Sequence, residues 1–248
     1  MPEVDAIQVQ NLTKTFGGQK AVNNISFAIP KGRIVGLLGG NGAGKTTTLS
    51  MLVGVLLPSS GSITITGIDM LKDRHRALSR MNFSSPYVDL PQRLTVRENL
   101  TVFSHLYNVP RYKQRIDELA EELDLKSFLD KPYGNLSAGQ KTRVSLAKSL
   151  INTPDILLLD EPTASLDPDT ADWIRNFFVC YQQTTKATIL LASHNMQEVE
   201  RICADIIVMK KGEIADEGTP DGLIAKYGRD NLEEVFLHIA RTEIIYDK

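Results

Sequence analysis

The apolar run Ile34-Val35-Gly36-Leu37-Leu38 passes without a break into Gly39-Gly40-Asn41-Gly42-Ala43-Gly44-Lys45-Thr46-Thr47, and an apolar helical pattern follows to about Leu56. A buried strand that ends in a glycine-rich turn and starts a helix leaves few folds open. The first N–H groups of that helix lack internal partners and point at one spot. Together with the helix dipole they make an anion site. The spacing Gly39-x4-Gly44-Lys45-Thr46 fits the phosphate cradle known as the P-loop. Gly39, Gly42 and Gly44 let the backbone wrap closely, and Gly40, Asn41, Ala43 and Thr47 complete the wall. In such a cradle the Lys45 ammonium reaches the β and γ phosphates of a nucleotide, and the Thr46 hydroxyl binds Mg²⁺.

The rest of the chain alternates between β and α texture. Residues 5–10 and 25–29 read as two strands flanking a turn at Gly17-Gly18, and residues 62–66 as a short further one. Together they predict an N-terminal antiparallel β subdomain. The helix after the cradle is expected to run from about Lys45 to Leu56 and to stop at Pro58 and Gly61. From about Thr95 apolar residues recur at helical spacing, with Ile116, Leu119, Ala120 and Leu123 on one face. Residues 95–150 therefore read as a helical subdomain inserted into the core. Strands return at 156–159, 188–192 and 206–209 with helices between them, which implies crossovers and a mostly parallel sheet. The fold class expected is α/β, a P-loop NTPase core of residues 1–94 and 151–228. The tail 229–248 adds an amphipathic helix with Leu232, Val235, Phe236 and Ile239 on one face.

The run Ile156-Leu157-Leu158-Leu159 ends in Asp160 and Glu161. Ligands of parallel sheets sit at the carboxyl ends of the strands. Asp160 is the expected holder of Mg²⁺ through a coordinated water, and Glu161 is placed to orient or deprotonate an attacking water.

With Leu136-Ser137-Ala138-Gly139-Gln140 these motifs resemble the ATP-binding cassette (ABC) family, in particular the ATPase subunit of an ABC transporter. The likeness runs from Ile7 to about Tyr227. Leu136–Gln140 is close to the family signature LSGGQ, with Ala138 in place of the first glycine. The resemblance implies that Ser137, Ala138, Gly139 and Gln140 face the γ-phosphate bound to a second subunit. Two chains facing head to tail then make two whole sites, with ATP as the glue between them. It also implies that Phe16 stacks on adenine with Val22 beside it. Ser165-Leu166-Asp167, with Asp167 at its end, matches the loop that connects the two sites. His194 matches the switch histidine at the γ-phosphate. The implied catalytic set is Glu161, His194 and Lys45, and the implied metal set is Thr46 and Asp160.

The chain departs from the family at one place. A glutamine that touches Mg²⁺ and the water is expected near Pro86, counting back from Leu94-Thr95-Val96-Arg97-Glu98-Asn99. The local text is Asn82-Phe83-Ser84-Ser85-Pro86-Tyr87. Three readings stay open: Ser84 or Ser85 serves as a weaker ligand, Gln92 reaches in, or the contact is absent. The first is preferred, with Ser85 in the metal set.

The formal net charge of −2 over 248 residues gives no global basic field to draw nucleic acid. No apolar run approaches the roughly 20 residues of a membrane helix, and no signal segment opens the chain. Cys180 and Cys203 sit in apolar stretches and are expected as buried free thiols in a reducing compartment. The expected protein is an ATPase that pairs with a second such subunit, by expectation a homodimer because both half-sites are present. It would lie on the cytoplasmic face of a membrane and drive an integral permease without inserting itself. The tail Asn231–Leu237 resembles cassettes of exporters with separate permeases, so export is the expected direction. The alternative is a soluble ABC-type ATPase acting on the ribosome or DNA.

Overall fold

The computed structural model describes residues 4–85, 89–164 and 166–241. The chain opens with a long hairpin, β1 (Ile7–Phe16) and β2 (Gln19–Ile29), turning at Gly17-Gly18. The strand β3 (Ile34–Leu38) and helix α1 (Lys45–Leu52) follow. Next come β4 (Ser60–Ile65), β5 (Ile68–Asp69), α2 (Arg74–Leu78) and β6 (Met81–Ser84). Helices α3 (Val96–Leu106), α4 (Tyr112–Glu122) and α5 (Ala138–Leu150) form the insertion. The chain then resumes with β7 (Ile156–Asp160), α6 (Pro168–Thr185), β8 (Thr188–Ser193) and α7 (Met196–Ile202). It closes with β9 (Asp205–Lys210), β10 (Glu213–Gly218), α8 (Pro220–Tyr227) and α9 (Leu232–Arg241).

Two sheets result. The antiparallel one has the order β2-β1-β4-β5, and the central one has the order β10-β9-β3-β8-β7-β6. In the central sheet only the β9–β10 pair is antiparallel. The apolar runs of β3, β7 and β8 reflect burial on both faces. Ile156, Leu158 and Leu190 pack with Val9, Ile29 and Leu49 on the side of the antiparallel sheet and α1. Leu157, Leu159 and Leu191 alternate to the other side, against Leu119, Leu150, Phe178 and Val199. The antiparallel β subdomain, the mostly parallel core and the inserted helices are thus those expected.

Several bounds differ. The helix after the cradle stops four residues short of the expected Leu56. Gly54 takes the left-handed conformation (φ 65°) and its N–H donates to the Met51 carbonyl, the usual glycine stop just past a helix end. Cys203 is buried, but Cys180 is exposed. The inward stripe of α6 is Ala171, Ile174, Phe178 and Tyr181, and helical spacing leaves position 180 off that stripe. In the tail, residues 242–248 lie outside the described residues, and α9 has Leu232, Val235 and Ile239 buried and Phe236 partly buried against the core.

Lys148 of α5 fastens the insertion to the core. Its Nζ donates to the Phe83 carbonyl (3.1 Å) and to Asn82 Oδ1 (3.4 Å), and it lies 5.3 Å from the centre of the Phe103 ring. Burial lowers its pKa to about 8 from an ordinary value of 10.5. Below about pH 8 the folded chain carries a charge that burial penalises. Between there and the unfolded pKa the unfolded chain binds more protons, so stability rises with pH. The stability of Lys148→Met relative to the parent should therefore fall as pH rises from about 7.5 to about 9.5, as urea unfolding at the two values would measure. A difference independent of pH would contradict a penalised charge at this position.

Candidate nucleotide site

The register of the central sheet assembles the site. Leu38 pairs with Ser193, Ala192 with Asp160, and Leu159 with Ser84. These parallel strands therefore finish level with one another. The residues just beyond those pairs are Gly39 after β3, His194 after β8, Glu161 after β7 and Ser85 after β6. Four motifs far apart in sequence meet along one edge because the strands share a direction.

The loop after β3 is held by close backbone approach. A Cβ at Gly39 would lie 2.7 Å from Ala43 Cβ and 2.8 Å from the Met209 carbonyl oxygen. Gly44 has φ 104°, and a Cβ there would meet the Ala21 carbonyl at 2.7 Å. Neither position has room for a side chain, so glycine is required at both. Ala43 is buried, its N–H donates to Gly40 O, and its carbonyl accepts from Gly212. Asn41 and Gly42 form the outer turn, and Thr47 lies in the first turn of α1. The Lys45 ammonium is buried and donates to the Gly39 carbonyl at 2.6 Å. Gly40 lies beside α9, where a Cβ would make ordinary contact with Phe236 Cζ at 3.9 Å.

Asp160 is 1% exposed. Its Oδ2 accepts from Thr46 Oγ1 at 3.2 Å, while its Oδ1 is buried without a partner among the described residues. Burial raises its pKa, the adjacent Glu161 charge adds to that, and the Thr46 hydrogen bond opposes it. An unpaired buried carboxylate oxygen is costly. A hard divalent cation takes oxygen ligands and would remove that cost, so Thr46 and Asp160 fit the expected metal.

Glu161 lies just past the strand end with φ 51°, a strained conformation for a residue with a side chain. Its N–H donates to Ala192 O at 2.9 Å. The strain breaks strand alternation, which lets the side chain return toward the cradle. Its Oε1 stands 3.8 Å from Lys45 Nζ, and its Oε2 stands 2.8 Å from His194 Nδ1. The Glu161 side chain is 13% exposed and that of His194 is 61% exposed, so the histidine faces outward from the pair.

The remaining expected residues are dispersed. Phe16 is half exposed at the hairpin tip, with Lys14 Nζ 5.1 Å from its ring centre. Val22 is fully buried beneath Gly44, so it supports the loop and offers no surface to a base. Ser137 is the exposed N-cap of α5. Its Oγ accepts from Gln140 N and its N–H donates to Gln140 Oε1, a reciprocal capping box. Ala138 is the first helical residue, where alanine costs nothing, and Gly139 follows it beside Thr170. Asp167 is the exposed N-cap of α6 and accepts from Thr170 N at 2.9 Å. Ser165 and Pro86 lie outside the described residues. Ser84 Oγ is 3.2 Å from Ser145 Oγ of α5. Ser85 is buried and, extending the strand register by one, neighbours Asp160. Gln92 donates to Asp89 Oδ2 at 2.8 Å and packs by Gly134. Thr163, Ser193 and Glu198 escaped the sequence analysis. Their roles depend on hydrogen bonds across 35 and 5 residues, and no fixed spacing announces those.

The sequence model of the family described as ABC transporter matches residues 22–164. The chain belongs to the ABC transporter family. The ABC transporter ATP-binding protein NatA of Bacillus subtilis is 36% identical to it over 221 residues, covering 88% of this chain and 89% of that one. Nod factor export ATP-binding protein I of Ralstonia nicotianae is 38% identical over 88% of this chain and 68% of that protein. A solved ATP-binding subunit of an ABC transporter superposes with a TM-score of 0.86 at 25% identity, over 94% and 99% of the two chains. The cbiO1 protein of Clostridium perfringens, part of the transporter complex cbiONQ, superposes with a TM-score of 0.80 at 30% identity, over 91% and 92%. This ABC subunit is an ATPase, and such subunits work with membrane permeases. Among the described residues no helix is long and apolar enough to cross a membrane.

With Gln92 committed to Asp89, Gln92→Ala should keep ATP turnover within about threefold, under ~0.7 kcal/mol of barrier. A loss of a hundredfold in a phosphate-release assay would make Gln92 a ligand of the site after all.

Proposed function

We propose that two copies of this chain close around ATP and Mg²⁺ and that hydrolysis lets them part, driving a permease. The observation that carries the proposal is the position of Glu161, one carboxylate oxygen toward Lys45 and the other on His194. In this scheme the loop 39–47 wraps the phosphates, with Lys45 balancing charge at the β and γ groups. Phe16 supplies the adenine platform. A Mg²⁺ ion held by Thr46 and Asp160, with Ser85 nearby, would draw charge off the phosphate oxygens. Glu161 accepts a proton from the water that attacks the γ-phosphorus. The bond to the β–γ bridging oxygen breaks, and ADP and phosphate result. His194 holds Glu161 and the γ-phosphate in line.

The α5 terminus supports the two-copy arrangement. Its cap is exposed, and the Ser137 hydroxyl proton is left for an acceptor outside the box while Gln140 fixes the turn. A γ-phosphate from a second copy suits it, because charge-assisted bonds at a helix start are strong. Ala138, Gly139 and Gln140 shape that turn, and Asp167 links it to the facing site. Residues 1–94 and 151–228 would move as the core, with 95–150 as the arm carrying Ser137. The permease would meet the pair on the cytoplasmic face. Export is the direction favoured by relatives named for Nod factor export.

Glu161→Gln keeps the shape and removes the base. With ATP it should form a lasting dimer by light scattering, and turnover should fall at least a hundredfold, about 2.7 kcal/mol. A monomer under saturating ATP would contradict either the pairing or the base assignment.

A further inference from the structure

Glu198 is a carboxylate in the protein interior, 2% exposed. Its Oε1 accepts from Thr163 Oγ1 at 2.7 Å, and its Oε2 accepts from Ser193 Oγ at 2.8 Å. Thr163 stands two residues after Glu161, and Ser193 immediately precedes His194. Ser193 Oγ also accepts the Asn195 N–H at 3.0 Å, and Asn195 Oδ1 accepts the Glu198 N–H at 3.2 Å. The turn on one side of Glu198 thus carries the water-activating carboxylate, and the turn on the other carries the histidine bound to it.

The carboxylate itself is anchored by packing. Its neighbour Val199 is fully buried and lies so close to β3 that a Cβ at Gly36 would come within 2.5 Å of Val199 Cγ1. Glu198 is therefore fixed to the strand that delivers the cradle. A buried acid is expensive next to an apolar residue of the same size. Burial indeed pushes its pKa up, and the two hydroxyls oppose the shift. The gain that offsets this cost is the placement of two hydroxyls, each beside a residue of the hydrolytic pair.

We propose that Glu198 is a positioning residue for hydrolysis. It ties the Glu161–Ala164 turn to the Ser193–Asn195 turn and so holds Glu161 Oε2 against His194 Nδ1. This rests on the roles given to Glu161 and His194 above. The left-handed conformation of Glu161 makes such a tie necessary, since a strained residue persists only where its surroundings over-determine it.

The test measures kcat and ATP affinity for Glu198→Ala, Glu198→Gln, Ser193→Ala and Thr163→Val, each alone and combined with His194→Ala. Glu198→Ala should lower kcat by about tenfold or more and leave the ATP Kd within about threefold. Glu198→Gln, which keeps one acceptor and the shape, should recover most of the loss. Combined with His194→Ala, Glu198→Ala should cost less than about a further threefold, because residues acting as one unit are not additive. A double variant whose loss equals the product of the two singles would overturn the proposal, as would full turnover in Glu198→Ala. If Glu198→Ala does not fold, Ser193→Ala and Thr163→Val, which each cut one arm of the tie, are judged by the same ratios. Unimpaired turnover in His194→Ala alone would instead overturn the role of His194, so the two failures are distinguishable.

Discussion

The shared register of β3, β8 and β7 is the constraint from which the site follows. Leu38 is level with Ser193, and Ala192 with Asp160, so the cradle, the histidine and both carboxylates emerge on one edge. Because side chains alternate along a strand, a slip of one residue would turn Asp160 away from Thr46 and exchange the residues packed on the two buried faces of β7. The two-sided burial of these strands forbids that slip. Leu157 and Leu159 fill one face and Ile156 and Leu158 the other. The hydrophobic core thus positions the chemistry without touching it.

The charges gathered on that edge are mutually dependent. Asp160 and Glu161 are adjacent carboxylates in a largely buried setting, and Lys45 lies within ion-pair reach of Glu161 while its charge also bears on Asp160. Asp160 keeps one oxygen on Thr46 and the other without a partner among the described residues. Such a site is poised for added positive charge and added phosphate together, since either one alone leaves an imbalance in a low dielectric. The left-handed Glu161 and the buried Glu198 are the conformational and electrostatic costs of holding this geometry.

Much of this was legible in the sequence. The Gly39-x4-Gly44-Lys45-Thr46 spacing fixes a strand, a turn and a helix at once, and the apolar runs at β7 and β8 have the length and character of buried strands. Ile116, Leu119, Ala120 and Leu123 announced α4 through their period. What escaped had no periodic or motif signal. Gly54 ended α1 early because a left-handed stop depends on backbone geometry that one glycine among several does not reveal. Cys180 fell off the buried stripe of α6, which residue type alone does not show. Val22 supports the cradle from beneath, because the hairpin folds over Gly44 and buries it. The Thr163–Glu198–Ser193 tie joins residues by side-chain hydrogen bonds that no spacing encodes.

The central claim is that a triphosphate is enclosed between the cradle of one copy and the α5 terminus of another. Intermolecular crosslinking tests it most directly, with Asn41→Cys and Ser137→Cys introduced into a Glu161→Gln chain whose exposed Cys180 is replaced by serine. With ATP, a short bifunctional thiol reagent should join two chains through positions 41 and 137, and with ADP it should not. Absence of that crosslink at saturating ATP, in protein whose nucleotide binding is intact, would contradict the account.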